Sequence, residues 1–394
     1  MNSKSNIMIM GSRGFKRNYG GWETFVQNLI GNWKNDNTQF YVLEIIYNKK
    51  EQGIINTDGV ICPQIYTKAR GSATMPIFCL KSLLYAIKYK KENNLQNVIF
   101  YIIGLRLGPV FQILRPYLRA KKIHVIINPD GLEWKRAKWN WFVKQYFKIS
   151  ESTMLKNSDY IVCDSEGIRS YIKQKYPKLK APCDFISYGA YPVDSEKMTS
   201  EAIHFLEKNH VKPFEYFLIV GRFVPENNYE LMIREFMKSS TSKKLLIICN
   251  YEKNTFYNEL LYRTGFDKDQ RIIFAGTLYD KSGLECVRSH AFAYIHGHSA
   301  GGTNPSLLEA MSTTKLNLLY NVVFNQEVGQ DAAMYFDEKE KPLSELIDYC
   351  DRLPDNAISE SGIRSKRRMA ENYTWDLVVE KHETLFNKIL RIKV

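Results

Sequence analysis

No two cysteines in this chain stand at Cys-x-x-Cys spacing, and their total of seven is odd. That speaks against a disulfide framework or a zinc ribbon and for a reducing compartment. Long hydrophobic runs are also missing: the longest mainly apolar stretch, 98–114, is broken by Arg106 and two glycines and is too short for a membrane span. The first residues enter an apolar strand with no signal-peptide core before it, so the expected location is the cytoplasm. With 22 glycines and 13 prolines in 394 residues, no repeat and no low-complexity tract, collagenous and disordered classes fall away. What remains is a globular chain, 44% hydrophobic, long enough for two domains.

The charge is uneven. Residues 1–195 hold 29 lysines and arginines against 14 aspartates and glutamates, a balance of +15, whereas the rest of the chain stands at −2. A basic front half implies an anionic counterpart: nucleic acid, a phosphorylated substrate or an inner membrane surface. A generally lysine-rich surface is the plainer alternative.

Short apolar runs alternate with amphipathic stretches, the pattern of parallel strands joined by crossover helices. Strands are expected at 7–10, 40–45, 98–103, 123–127 and 160–163, then at 217–220, 245–249, 272–274, 293–296 and 316–320. A polar segment after Tyr188 reads as a linker. The division is therefore an N-terminal domain 1–192, a C-terminal domain 193–374 and a final amphipathic helix, 375–394, packing back toward the first domain. Two doubly wound α/β domains bind ligands beyond the carboxyl ends of their strands, so the loops there are the places to look.

The loop Gly11-Ser-Arg-Gly-Phe-Lys-Arg-Asn-Tyr-Gly-Gly-Trp-Glu supplies Arg13, Lys16 and Arg17 and a helix start at Gly20-Gly21, the ingredients of an anion site. Its glycine spacing fits neither a dinucleotide fingerprint nor a Walker loop. After the strand 123–127, Asn128-Pro-Asp-Gly is a turn signal that also puts Asp130 where a carboxylate can orient a sugar hydroxyl or act as a base. The aromatics Trp134, Trp139, Trp141, Phe142, Tyr146 and Phe147 interleave there with lysines and Arg136, which suits a lipid-headgroup interface.

In the second half, Arg222 follows a strand and suits a diphosphate. The densest signal is His296-Gly-His-Ser-Ala-Gly-Gly-Thr-Asn-Pro-Ser-Leu-Leu-Glu-Ala-Met. Asn304 and Pro305 start a helix whose first N–H groups, with those of Gly301, Gly302 and Thr303, form a phosphate cradle. Glu309, one turn on, is placed to accept both hydroxyls of a ribose. His296 and His298 lack the partners of a metal site, and His298 reads as a donor to phosphate or sugar. Asp267-Lys-Asp269 precedes its strand and reads as a solvated turn.

These blocks resemble the GT-B glycosyltransferases of family 4: Gly-Gly-x-Glu at 20–23, Gly-Arg-x-x-Pro-Glu at 221–226, the strand 271–276 and the loop and helix ending at Glu309. More narrowly, the segments starting at Gly11, Asp130 and His298 are together similar to bacterial capsule and cell-wall β-1,4-rhamnosyltransferases. The resemblance implies two Rossmann-like domains facing each other across a cleft. It implies transfer of L-rhamnose from a dTDP-linked donor to a lipid-diphosphate-linked sugar, with retention, without metal or other cofactor, on the inner face of the plasma membrane. Asp130, Arg222 and Glu309 would be catalytic. Gly20, Gly21, His298, Gly301, Gly302, Thr303, Asn304 and Glu309 would meet the donor, and Arg13, Glu23, Glu133 and Arg136 the acceptor.

Two departures stand out. The wider family carries Glu-x7-Glu, but Gly301 occupies the first glutamate's place, and Asn227 replaces the usual lysine after Pro-Glu. Other readings stay open: a UDP-linked hexose as donor, or a GT-B epimerase acting on soluble nucleotide sugar alone. Nucleic acid is not an expected partner, because no recognised binding motif is present.

Overall fold

The computed structural model describes residues 4–15, 20–68, 71–135, 139–191, 197–251, 255–299 and 301–391. The chain divides into two compact units, residues 1–188 with 375–394, and residues 189–374.

In the first unit nine strands form one sheet: β1 Ser5–Met10, β2 Thr38–Val42, β3 Glu44–Ile46, β4 Ile54–Thr57, β5 Val60–Tyr66, β6 Val98–Ile103, β7 Ile123–Asn128, β8 Tyr160–Cys163 and β9 Cys183–Phe185. Their order is β3-β5-β2-β1-β6-β7-β8-β9, with β4 antiparallel on β5 and every other pairing parallel. The expected strand 40–45 is two strands, interrupted at Leu43, where the pairing with β1 ends while that with β5 continues. On β1 and β6 successive residues serve opposite faces. Met8, Met10, Phe100 and Ile102 enter one core cluster with Phe78, Leu83 and Phe111. Tyr101 points the other way, against Phe386 of the helix Trp375–Leu390 and, 6.3 Å away, Phe25 of the helix Gly21–Gly31. The last helix of the chain thus completes the first unit.

The second unit has six parallel strands: β10 Tyr216–Val220, β11 Lys244–Ile248, β12 Ile272–Gly276, β13 Ala293–His296, β14 Leu316–Tyr320 and β15 Met334–Phe336, in the order β12-β11-β10-β13-β14-β15. Both faces are covered, which requires apolar residues at consecutive positions. Phe217, Ile219, Leu245 and Ile247 lie in one cluster, and Tyr216, Leu218, Leu246 and Ile248 in the other. Two doubly wound α/β units are what the strand and helix alternation implies.

Each sheet reverses its strand order at one place, between β1 and β6 in the first unit and between β10 and β13 in the second. Connections that leave neighbouring strands toward opposite faces open a crevice at their carboxyl ends. These two points locate the candidate sites.

Burial also writes a pH dependence into the first unit. His382 is fully buried; its Nδ1–H donates to the Val378 carbonyl at 2.8 Å, which leaves Nε2 to accept from the Tyr101 hydroxyl at 3.2 Å. Burial lowers its pKa to about 4. The unfolded chain, with an ordinary histidine, therefore takes up the proton first, and stability falls as pH drops from about 6.5 toward 4, by about 3 kcal/mol. Thermal melts across this range should show that loss, and His382→Gln should flatten it; an unchanged slope would contradict the assignment.

Candidate functional site

In the second unit the loops after β10 and β13 are sewn together beside the reversal point. Asn228, in a left-handed conformation (φ 54°), donates through Nδ2 to the Gly297 carbonyl at 3.0 Å. Ser299 donates through both its N–H and its hydroxyl to the Glu226 carbonyl, at 3.1 and 2.8 Å. Gly297 is required by this closeness, since a Cβ there would lie 2.5 Å from the Asn227 carbonyl oxygen.

Asn227 gives this junction its direction. Its Nδ2 donates to the Arg222 carbonyl at 2.7 Å, so its Oδ1 is the acceptor 2.8 Å from His298 Nδ1. His298 therefore carries its proton on Nδ1 when neutral, and protonation would turn Nε2 into a donor. The residue that replaces the resembled family's lysine holds a histidine instead. Arg222 is exposed and among the described residues makes no ion pair.

The helix Pro305–Thr313 starts as its sequence dictates, with Asn304 Oδ1 accepting from Ser306 N–H at 2.9 Å. Leu307, Leu308 and Met311 are buried. The cap revises the expected cradle. Ser306 N–H is held by the Asn304 side chain, Leu307 N–H by the Asn304 carbonyl, and Pro305 has no N–H. An anion here would be met by the loop 301–304, where Gly301 has φ +133° and packs against His298 Nε2, rather than by the helix's first turn.

Behind the loop lies a polar cluster that the sequence reading did not anticipate. Arg288, only 3% exposed, ion-pairs with Glu309 Oε2 at 2.7 Å and also donates to Ser306 Oγ at 3.3 Å. Ser306 Oγ in turn donates to the Val220 carbonyl at 3.2 Å, beside the Tyr294 hydroxyl. Burial pushes the Tyr294 phenol up to about 12 and, with the charge of His298 adding to it, drives His296 far below the ordinary histidine range. His296 is thus a neutral buried ring whose Nε2 has no partner among the described residues.

In the first unit the loop after β1 passes close over β6. Gly11 has φ +111°, and a Cβ there would overlap the Ile103 carbonyl oxygen. Arg13 is exposed, and its backbone N–H donates to Glu23 Oε1 at 2.7 Å. Glu23 is 5% exposed and packs against Gly20, the cap of the helix Gly21–Gly31, so its carboxylate shapes the loop. Arg106, at the end of β6, stacks 4.2 Å over the Trp22 ring. Asp130 has φ 56°, and its N–H is held by Asn128 Oδ1 at 3.0 Å. Burial, then the charges of Asp164, Asp130, Tyr101 and Glu23, hold the Tyr188 phenol well above its ordinary range, which places these groups around one tyrosine. Glu133 Oε1 accepts from Trp139 Nε1–H at 3.0 Å. Lys16, Arg17 and Arg136 lie outside the described residues.

The aromatic stretch separates into two roles. Trp134 donates to buried Glu151 and lies under Lys175, and Phe147 is core. Trp141 and Phe142 are 65% and 77% exposed. Asp269 is not a solvated turn residue: it is half-buried and paired with Arg271 at 2.7 Å, and that pairing holds its carboxyl below the usual range. Among the described residues no group of three or more His, Cys, Asp or Glu is arranged to hold a metal, and no helix is long and apolar enough to cross a membrane.

Residues 4–191 match the family described as a domain of unknown function, DUF1972. No curated protein matches the chain. Among solved structures it is similar to sucrose-phosphate synthase from Thermosynechococcus elongatus, at 12% identity over 98% of this chain and 99% of that one, with a TM-score of 0.78. A glycosyltransferase from Rickettsia africae is 15% identical over 99% and 100% of the two chains, with a TM-score of 0.70. HepE of Anabaena, in complex with UDP and glucose, is 10% identical over 98% and 100%, with a TM-score of 0.71. The chain has the GT-B fold, with a mainly parallel sheet in the first unit and a parallel one in the second.

Proposed function

We propose that this chain is a retaining glycosyltransferase that moves L-rhamnose from dTDP-β-L-rhamnose to a lipid-diphosphate-linked sugar. The observation that carries the reading is the junction at the β10 and β13 loops: Asn227 ties the Arg222 turn to His298, the loop 301–304 follows, and Ser306, bonded to Glu309's partner Arg288, reaches the Val220 carbonyl. Phosphate-binding chemistry needs such a set: a guanidinium for charge, backbone N–H groups for geometry and a carboxylate for the nucleoside sugar. The GT-B fold shared with HepE, whose structure holds UDP and glucose, supports a nucleotide sugar in general and keeps a UDP-linked hexose as the second reading.

On this reading the bond from the anomeric carbon to the donor phosphate breaks, and its electron pair stays on the diphosphate. The acceptor hydroxyl attacks the anomeric carbon from the face the diphosphate leaves, and its proton passes to the departing phosphate oxygen. Arg222 and the 301–304 amides stabilise charge that grows only as that bond breaks, so they lower the barrier more than they strengthen ground-state binding. Asp130 is the alternative proton acceptor. Incubating the protein with radiolabelled dTDP-rhamnose and a membrane lipid extract tests the proposal: labelled lipid supports it, and label that follows only UDP-glucose would favour the second reading.

The acceptor's lipid calls for an interface, and the basic first unit carries a face that suits one. The helix Gly108–Ala120 exposes Val110, Ile113 and Tyr117, and the helix Trp141–Lys156 exposes Phe142, Tyr146 and Ile149, each set at the spacing of one helical face. Tyr146 ties the two together through the Arg106 carbonyl at 2.7 Å and its packing on Gly108. Half-buried Lys144 and exposed Lys148 border the apolar groups. Each basic group near an anionic leaflet contributes about 1 kcal/mol. Sedimentation with phosphatidylglycerol vesicles should therefore capture the protein and lose it at high salt, and Ile113→Glu with Phe142→Glu should reduce capture about tenfold or more. Equal capture by neutral vesicles would contradict this.

A further inference from the structure

Three lysines of the first unit converge on one indole with a single carboxylate among them. The ammonium groups of Lys135, Lys148 and Lys175 lie 5.6, 5.1 and 5.2 Å from the centre of the Trp134 ring. They come from three elements: the turn Glu133–Lys135, the helix Trp141–Lys156 and the end of the helix Glu166–Lys175. The carboxylate is Glu151, which is buried and already accepts from four donors: Lys175 Nζ at 2.8 Å, the Tyr171 and Tyr176 hydroxyls at 2.9 and 2.7 Å, and Trp134 Nε1–H at 3.0 Å. About four hydrogen bonds fill a carboxylate. Lys135 and Lys148 are exposed and make no ion pair among the described residues. An indole face attracts each cation but does nothing for the repulsion between neighbouring ammonium groups, so three cations against one carboxylate leave two positive charges unbalanced.

The place of the cluster says what kind of anion fits it. Trp134 stands in the loop after β7, four residues beyond Asp130, at the carboxyl edge of the sheet. Lys148 adjoins Ile149 on the helix that exposes Phe142, Tyr146 and Ile149. An anion held at Trp134 can therefore carry an apolar chain along that helix. We propose that Lys135, Lys148 and Lys175 form a site for a lipid-borne diphosphate, whose two or more negative charges match the surplus. The inference rests on the reading above, in which the acceptor is a lipid-diphosphate-linked sugar, and it gives that diphosphate a seat that includes Lys148 and Lys175, outside every block that carries the resemblance. A phosphodiester headgroup brings a single charge and leaves the cluster half neutralised.

Sedimentation of the full chain with phosphatidylcholine vesicles tests this. One set carries phosphatidylglycerol and the other diacylglycerol diphosphate, with the fractions adjusted so that the surface charge is equal. The expected result is capture by the diphosphate lipid about tenfold tighter than by phosphatidylglycerol. Lys135→Gln with Lys148→Gln should shrink that ratio to about twofold or less; Lys175 stays in place because it is the counter-charge of buried Glu151. Lys121→Gln with Lys122→Gln removes the same charge from exposed residues ahead of β7, at the other end of the strands, and should leave the ratio as in the wild type. A ratio that falls as far in this control pair would overturn the proposal. So would equal capture of the two lipids by the wild type, a result that needs no variant to fold. If neither set captures the protein, the lipid-linked acceptor itself falls; if both capture it equally, only the diphosphate site does.

Discussion

On the proposed function, Glu309→Gln is expected to lower kcat/KM for the nucleotide-sugar donor by about two orders of magnitude, because a hydrogen bond to a charged acceptor contributes about 1.5–3 kcal/mol. The glutamine keeps an amide oxygen for Arg288, so the fold should survive and the loss should reside in donor binding and turnover. Glu309→Ala adds a second effect. It leaves Arg288, 3% exposed, without its counter-charge. Allowing for the partial exposure of Glu309, the variant should lose about 2 kcal/mol of stability besides its activity. Comparing melting temperatures and donor kinetics of the two variants separates these contributions. Wild-type kinetics in Glu309→Gln would remove Glu309 from the site.

Gly11→Ala should be the most damaging single methyl in the first unit. The backbone at Gly11 has φ +111°, which side-chain-bearing residues avoid, and the added Cβ would overlap the Ile103 carbonyl oxygen, itself fixed at the end of β6. Neither obstacle can be relieved by rotating a side chain, because both involve backbone in the middle of the sheet. The combined cost should exceed about 4 kcal/mol, a large part of a domain's stability, and the variant should be insoluble or unfolded by circular dichroism. Gly31→Ala is the matched control: apart from its chain neighbours and its own helix backbone, no heavy atom lies within 4 Å of its Cβ position, and alanine suits a helix better. That variant should fold as the wild type does. A folded Gly11→Ala would show that the β1 loop does not cross β6 as described.

Much of this architecture is legible in the sequence because the strands are buried on both faces. Runs such as 98–103 and 245–249 cannot be read as amphipathic helices or as half-exposed strands. The elements that escape reading are those without that signature. β5 contains Pro63, which argues against a strand, yet it is tolerated where Pro63 lies opposite Ile54 of the short outer strand β4. β9 and β15 have three residues each, too few for a period to show. Trp33 continues the helical spacing of Phe25 and Leu29 but lies beyond Gly31 and stacks on Phe386.

At the candidate site the loops announce themselves through glycine, asparagine and proline at strand ends, because sharp backbone paths need those residues. Their partners do not. Arg288 sits in the last turn of an ordinary amphipathic helix, and nothing near it in sequence indicates that Glu309 closes on it. Asn227 likewise reads as a missing lysine until its two side-chain bonds show what it holds. Such pairings depend on which helices the sheet order brings side by side, and only the fold supplies that.

The proposed function requires the loops following β10 and β13 to hold a nucleoside diphosphate. A crystal structure of the protein with dTDP tests it most directly. Phosphate oxygens are expected within hydrogen-bonding distance of Arg222 and the 301–304 amides, with the deoxyribose on Glu309. Nucleotide bound elsewhere, or none at saturating concentration, would contradict it.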